Sequence, residues 1–172
     1  MSKNKINIGL SNPKSPENVD AIMRLAGNFS VGSVNYSGSR YPRALALNPD
    51  IPNISRQISE SVTLNNVPCL IQSAQKNCKI VCVEFAENAI ALPEFQHPEN
   101  AYYIFGPEDG SVTQEILNCC AQVIYVPTQG CMNLSQTVSV VLYDRLAKSF
   151  QAIDDNEMIR KNKDKNNNLK VR

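Results

Sequence analysis

Short apolar runs recur along the chain, separated by stretches in which apolar residues lie three or four positions apart. Residues 5–10 (KINIGL), 31–36, 62–64, 79–84 (KIVCVE), 101–105 (AYYIF) and 122–126 (QVIYV) have the length and the β-branched or aromatic content of strands. Helices are predicted over about 15–28, 66–76, 112–119 and 134–150. The first opens at Ser15-Pro16-Glu17, with a serine able to cap and a proline where a helix tolerates one. The polar, proline-punctuated stretch 37–55 reads as a long loop, of the kind that is often functional or mobile. Strands alternating with helices predict an α/β domain: a mostly parallel sheet with helices on both faces. Ligands of such sheets bind beyond the carboxyl ends of the strands.

Composition narrows the class. The chain has 172 residues, 42% hydrophobic and 19% charged, which suits one globular domain, expected over residues 1–153. No run approaches the ~20 apolar residues that span a bilayer, and the polar start lacks the apolar region of a signal peptide. A cytoplasmic location is expected, with no membrane partner. The six cysteines form no CxxC pair and the single histidine, His97, is given no role, so no metal site is expected. The thiols read as reduced, mostly buried small hydrophobes.

The net charge of +1 conceals an asymmetry. Residues 160–172 carry six basic residues against one acidic, a charge of +5, whereas the other 11 basic and 15 acidic residues give −4. The basic stretch 154–172, rich in asparagine towards its end, reads as a disordered tail, either solubilising or touching nucleic acid. The body is not basic overall, so any RNA surface has to be a local patch.

Three segments carry candidate chemistry. Asn18-Val19-Asp20-Ala21-Ile22-Met23-Arg24 places Asn18 and Arg24 on the first helix, where Arg24 either snorkels from the surface or meets an acidic partner or ligand. Phe105-Gly106-Pro107-Glu108-Asp109-Gly110 ends a strand in a loop where backbone can approach a ligand, though a plain strand-to-helix turn has the same composition. In the third, a strand ends at Val126-Pro127, passes Gly130, and enters the last helix at Cys131-Met132-Asn133-Leu134-Ser135. Asn133 or Ser135 serves there as a helix cap, or the loop encloses a small molecule. Tyr36, Arg40, Tyr41 and Arg43 interleave rings with guanidinium groups, as unstacked RNA bases require, or form an ordinary solvated loop.

In this order the three segments resemble the motifs of the SPOUT (SpoU/TrmH-like) RNA ribose 2′-O-methyltransferases. Asn18 and Arg24 match the family's N-x-G-x-x-x-R; Gly106 and Glu108 match G-x-E-x-x-G, with Gly110 one position early; and MNLSQTVSVVLYD is similar to the third motif of the branch that methylates the tRNA wobble nucleotide. The resemblance covers residues 5 to about 150. Asp20 departs from it, standing where the family usually has glycine, and residues 36–56 do not match the wobble branch.

The resemblance implies a C-terminal trefoil knot, S-adenosylmethionine as cofactor, and RNA as partner, tRNA before rRNA. It implies a homodimer through the knot and the last helix. Cofactor contacts would come from Val83, Gly106, Pro107, Glu108, Gly110, Val126, Pro127, Cys131, Met132, Leu134 and Ser135. Arg24, Glu108 and Asn133 would be the catalytic group, with Glu108 orienting Arg24. Substrate would meet Asn18, Arg24, Tyr36, Arg40, Tyr41 and Arg43. Because a guanidinium keeps its proton at ordinary pH, Arg24 is expected to grip the 2′-oxygen or a phosphate rather than act as a base. The alternative is a catalytically inactive RNA- or cofactor-binding protein of the same fold.

Overall fold

The computed structural model describes residues 6–47, 62–149 and 155–171. Seven strands form one sheet: β1 (Ile6–Ser11), β2 (Ser33–Ser37), β3 (Thr63–Asn66), β4 (Lys79–Val83), β5 (Ile90–Ala91), β6 (Ala101–Phe105) and β7 (Gln122–Tyr125). Their order is β3-β2-β1-β6-β4-β7-β5, and every pairing is parallel. The helices are α1 (Pro16–Asn28), α2 (Arg40–Leu47), α3 (Leu70–Ser73), α4 (Gln114–Cys119), α5 (Leu134–Ser149) and α6 (Asp155–Asn162).

The central strand β6 shows why both faces are covered. All five of its residues are buried, and they alternate between two cores. Ala101, Tyr103 and Phe105 join Ile8, Leu10, Val81 and Val83 under Val19, Ile22 and Ala26 of α1 and Val138, Val141 and Leu142 of α5. Tyr102 and Ile104 point the other way with Cys82, under Leu70 of α3 and Ile116 and Leu117 of α4. An unbroken apolar run is what a parallel strand covered on both sides requires. Each buried core side chain of this size contributes about 1.5–3 kcal/mol.

Several predicted elements change. Within the expected loop 37–55, residues 40–47 form α2; residues 48–61 lie outside the described residues. Pro42 lies in the first turn of α2, where its missing N–H has no partner to lose, so it does not break the helix. The helix expected over 66–76 shortens to α3, and β3 reaches Asn66. The two-residue edge strand β5 is too short to leave a pattern in the sequence. In the stretch read as a disordered tail, residues 155–162 form α6. Acidic residues stand at its start and Arg160 and Lys161 in its last turn, which suits the helix dipole. The boundary expected at 153/154 falls outside the described residues. Among the described residues no helix is long and apolar enough to cross a membrane, and no cluster of three His, Cys, Asp or Glu is placed to hold a metal ion.

Candidate active site

The carboxyl ends of β4, β6 and β7 are adjacent in the sheet, so the segments that leave them meet above one edge. There they enclose a cleft that is partly open to solvent. Val83, Gly106, Pro107, Glu108, Gly110, Val126, Cys131, Met132 and Leu134 line it, so nine residues expected around one ligand do share a cavity. Pro127 and Ser135 are not among its walls. The sequence reading missed Glu84, Phe85, Phe105, Tyr125, Thr128 and Thr137. A polar and an aromatic residue immediately after a buried strand, as in Val83-Glu84-Phe85, is the signal that pointed to two of them.

Glu84 fixes the loop after β6. Its Oε2 accepts a hydrogen bond from the Val112 amide at 3.0 Å, while Oε1 accepts from its own neighbour, Phe85 N, at 3.0 Å. A Cβ at Gly106 would stand 3.0 Å from that same Oε2 and 3.3 Å from Val112 N, so only glycine lets the loop close here without a shift. Phe85 is half exposed, its ring centroid 5.8 Å from that of Tyr125, giving the cleft an aromatic corner.

A second hollow adjoins the first. Residues 14–18, Glu108 and Cys131–Leu134 line it, and Glu108, Cys131, Met132 and Leu134 form a wall common to both. A chain of side-chain contacts runs along this wall. Glu108 accepts from Lys14 N at 2.8 Å, from Ser15 N at 3.0 Å and from Asn18 Nδ2 at 3.0 Å. Asn133 Nδ2 donates to Asn18 Oδ1 at 3.0 Å. Asn133 Oδ1 accepts from Ser135 N at 2.9 Å and Ser135 Oγ at 2.7 Å, which caps α5. Burial pushes the Glu108 carboxyl up, but the Asn18 amide and the backbone amides of Ser15 and Lys14 outweigh it and hold the pKa below the usual value. Glu108 is therefore an anion that ties the start of α1 to the cleft. The first helix is capped as its sequence foretold, with Ser15 Oγ accepting from Asn18 N at 3.2 Å.

Arg24 stands elsewhere. It is exposed, lines neither hollow, and no hydrogen bond or ion pair holds it among the described residues. The reason is the helix period: Val19, Ile22, Met23 and Ala26 face the core, which turns Arg24 outward with Glu17 and Asn28. The expected contact from Glu108 to Arg24 is replaced by contacts to Lys14, Ser15 and Asn18. Asp20 lies on the outward side too, its carboxyl raised by partial burial and then by Glu17.

The expected base-stacking group separates as well. Tyr41 is buried in the core, edge-on to Tyr36 with centroids 5.0 Å apart. Arg40 grips Asp109 with two guanidinium nitrogens, at 2.7 and 2.8 Å. Arg43 is exposed. Among these four, Arg43 is the exposed cation, and Arg40 is engaged by Asp109.

The model of the family described as "SpoU rRNA Methylase family" matches residues 5–143, most of the chain. The chain belongs to the SpoU rRNA methylase family. It is an RNA methyltransferase by that membership. No curated protein sequence matches it. This SpoU methylase is similar in fold to the A. aeolicus TrmH/SpoU tRNA modifying enzyme, at 16% identity and a TM-score of 0.69, covering 92% of this chain and 88% of that one. It is similar to a structure concerned with 2-OH methylation of C/U34 on tRNA, at 18% identity and a TM-score of 0.72, with 86% and 97% covered. A third likeness is to AviRb from Streptomyces viridochromogenes in complex with AdoMet, at 16% identity and a TM-score of 0.67; there the SpoU methylase covers 86% of itself and 59% of the longer chain.

Proposed function

We propose that the protein transfers a methyl group from S-adenosylmethionine to a ribose 2′-hydroxyl of RNA, with tRNA as the substrate class, working as a cytoplasmic homodimer. The observation that carries the reading is the cleft that the segments after β4, β6 and β7 line together, with its glycine at 106 and its apolar and aromatic walls. Its donor set fits the cofactor: backbone at Gly106 and Gly110, apolar Val83, Val126, Met132 and Leu134, and hydroxyls at Thr128 and Thr137. Bound there, the cofactor supplies an electrophilic methyl group.

The chain's own residues bind, orient and exclude water. Val83, Val126 and Leu134 would give an adenine ring apolar walls, and the backbone at 106–110 would lie alongside the ligand. Glu108, Asn18 and Asn133 join the loops after β1, β6 and β7, so the two hollows hold a fixed relation and two reactants are positioned together. The second hollow is the place for the target ribose.

Arg24 enters from a second copy. Helices α1 and α5 pack side by side, and α5 leaves Tyr143 64% and Leu146 45% exposed, two apolar side chains one helical turn apart. A two-fold pairing through α5 covers both side chains and carries Arg24 towards the partner's second hollow. There it stabilises the charge that develops on the 2′-oxygen. Threading of the 127–134 segment as a knot belongs to the same proposal. The test is incubation with S-adenosylmethionine and bulk tRNA followed by nucleoside mass spectrometry. Ribose-methylated nucleosides are expected, and Arg24→Ala removes them while leaving S-adenosylhomocysteine binding intact. Base-methylated products, or full activity in Arg24→Ala, contradict the reading.

A further inference from the structure

Beside the second hollow, three loops converge on one carboxylate. Asp109, in the loop after β6, takes Arg40 on both oxygens, at 2.7 and 2.8 Å, and Lys14 Nζ at 3.4 Å. Lys14 follows β1 and lines the second hollow; Arg40 opens α2 after β2. The cations are held from behind: Lys14 N donates to Glu108, and Arg40 N donates to Asn12 Oδ1 at 3.3 Å. Asn12 N in turn donates to Ser37 O at 2.9 Å, so the β1 and β2 loops are stitched together. Arg43 lies exposed on the next turn of α2.

The backbone at Lys14 and Arg40 is thus anchored, while the side chains of Asp109 and Lys14 are 51% and 62% exposed. With Glu108, which accepts from Lys14 N and also acts on Arg40, the cluster balances two cations against two carboxylates, so only departure of Asp109 leaves it net positive. Asp109 itself is held low, to about 2, chiefly by Arg40, so it stays ionised at any working pH. A bidentate pair is the strongest form a surface ion pair takes, and because Asp109 is half exposed the pair is open to competition from another anion. A planar guanidinium gripped on two oxygens is equally matched to a phosphodiester, which presents two charged oxygens in the same fork.

We propose that Asp109 is an internal placeholder: it occupies an RNA phosphate site formed by Arg40 and Lys14, and a backbone phosphate displaces it when RNA docks over the second hollow. This rests on the reading of the protein as an RNA methyltransferase and assigns its electrostatic lip. While RNA is absent, the placeholder keeps two cations aligned and prevents an unpaired anion trap from binding other polyanions. On docking, Asp109 swings to solvent, and the lip seats the strand that leads into the hollow.

The test is binding of bulk tRNA to the full chain across a potassium chloride series. Asp109→Asn removes the competitor. If the lip is free for about a tenth to a third of the time in the native protein, binding tightens by about threefold to tenfold. Arg40→Ala weakens binding and lowers the salt slope by about one. Glu115→Gln, the same charge change on exposed α4, controls for long-range attraction and alters binding by less than about twofold. Unchanged or weaker binding in Asp109→Asn, or an equal gain in Glu115→Gln, overturns the proposal. A native protein that methylates and binds tRNA while Asp109→Asn gains nothing sinks only the placeholder. A native protein that binds no tRNA sinks the tRNA assignment and the placeholder together.

Discussion

Glu108→Gln probes the wall between the two hollows. The carboxylate accepts three hydrogen bonds, two from backbone amides of the α1 entry and one from Asn18. Glutamine keeps the shape but offers one accepting oxygen, and its NH2 faces amides that also donate. One charge-assisted bond, worth about 1.5–3 kcal/mol, is lost outright. Because the group is only partly buried, water recovers some of it, and about 1.5 kcal/mol is a fair expectation. For a domain of this size that lowers Tm by about 3–6 °C. Asn18 then loses its anchor, Asn133 follows, and affinity for S-adenosylhomocysteine should fall by about tenfold.

The pH dependence carries a definite sign. The folded pKa of Glu108 lies below its unfolded value, so its contribution is complete above the unfolded pKa of ~4.3 and is lost as pH falls through the folded one. The stability gap between the native protein and the variant should therefore be constant near pH 7 and close in acid. Thermal unfolding at several pH values, with calorimetric titration of S-adenosylhomocysteine, measures both. A variant within 1 °C of native at pH 7 (about 0.3 kcal/mol) and unaltered in affinity would refute the network's role.

Other outcomes follow from single contacts. Gly106→Ala pushes a methyl group against Glu84 Oε2 at 3.0 Å and backbone at 3.3 Å, so S-adenosylhomocysteine affinity should drop by about tenfold or more with a small change in Tm. Gly9→Ala, on the opposite side of the sheet's centre, meets Tyr102 OH at 2.9 Å and Ile104 Cγ1 at 3.2 Å; it should cost about 1–3 kcal/mol in denaturant unfolding and leave ligand affinity alone. His97 is buried between Tyr103 OH at 2.6 Å and Asp144 at 2.8 Å, and burial holds its pKa below the ordinary value against the pull of Asp144. Its folded form therefore resists protonation: stability is full above the unfolded value of ~6.5 and declines as pH falls below it. That decline should vanish from denaturation curves of His97→Phe, and its persistence would assign it elsewhere.

Much of the site was readable because its parts are local. Ser15 as a cap, the loop after Phe105, and the turn from Val126 into α5 each follow from adjacent residues, and each stands where its pattern put it. Which of its two readings Arg24 takes was not legible from its sequence neighbours Met23 and Leu25; on the helix it lies beside Asp20, Ala21 and Asn28, a more polar face that turns it outward from this subunit's hollows. Pro42 hid α2 because its meaning depends on whether it falls in a first turn, which only the finished helix reveals. The bond from Lys14 to Glu108 joins residues 94 apart, and no spacing rule reaches that far. It exists because β1 and β6 are neighbours in the sheet.

The account stands or falls on what the cleft at the ends of β4, β6 and β7 holds. A crystal structure of the protein grown with S-adenosylhomocysteine settles it. The ligand should lie against Gly106, Val126 and Met132, with its homocysteine end towards the wall formed by Glu108 and Leu134. Ligand density at another edge of the sheet, or a vacant cleft under saturating ligand, contradicts the assignment.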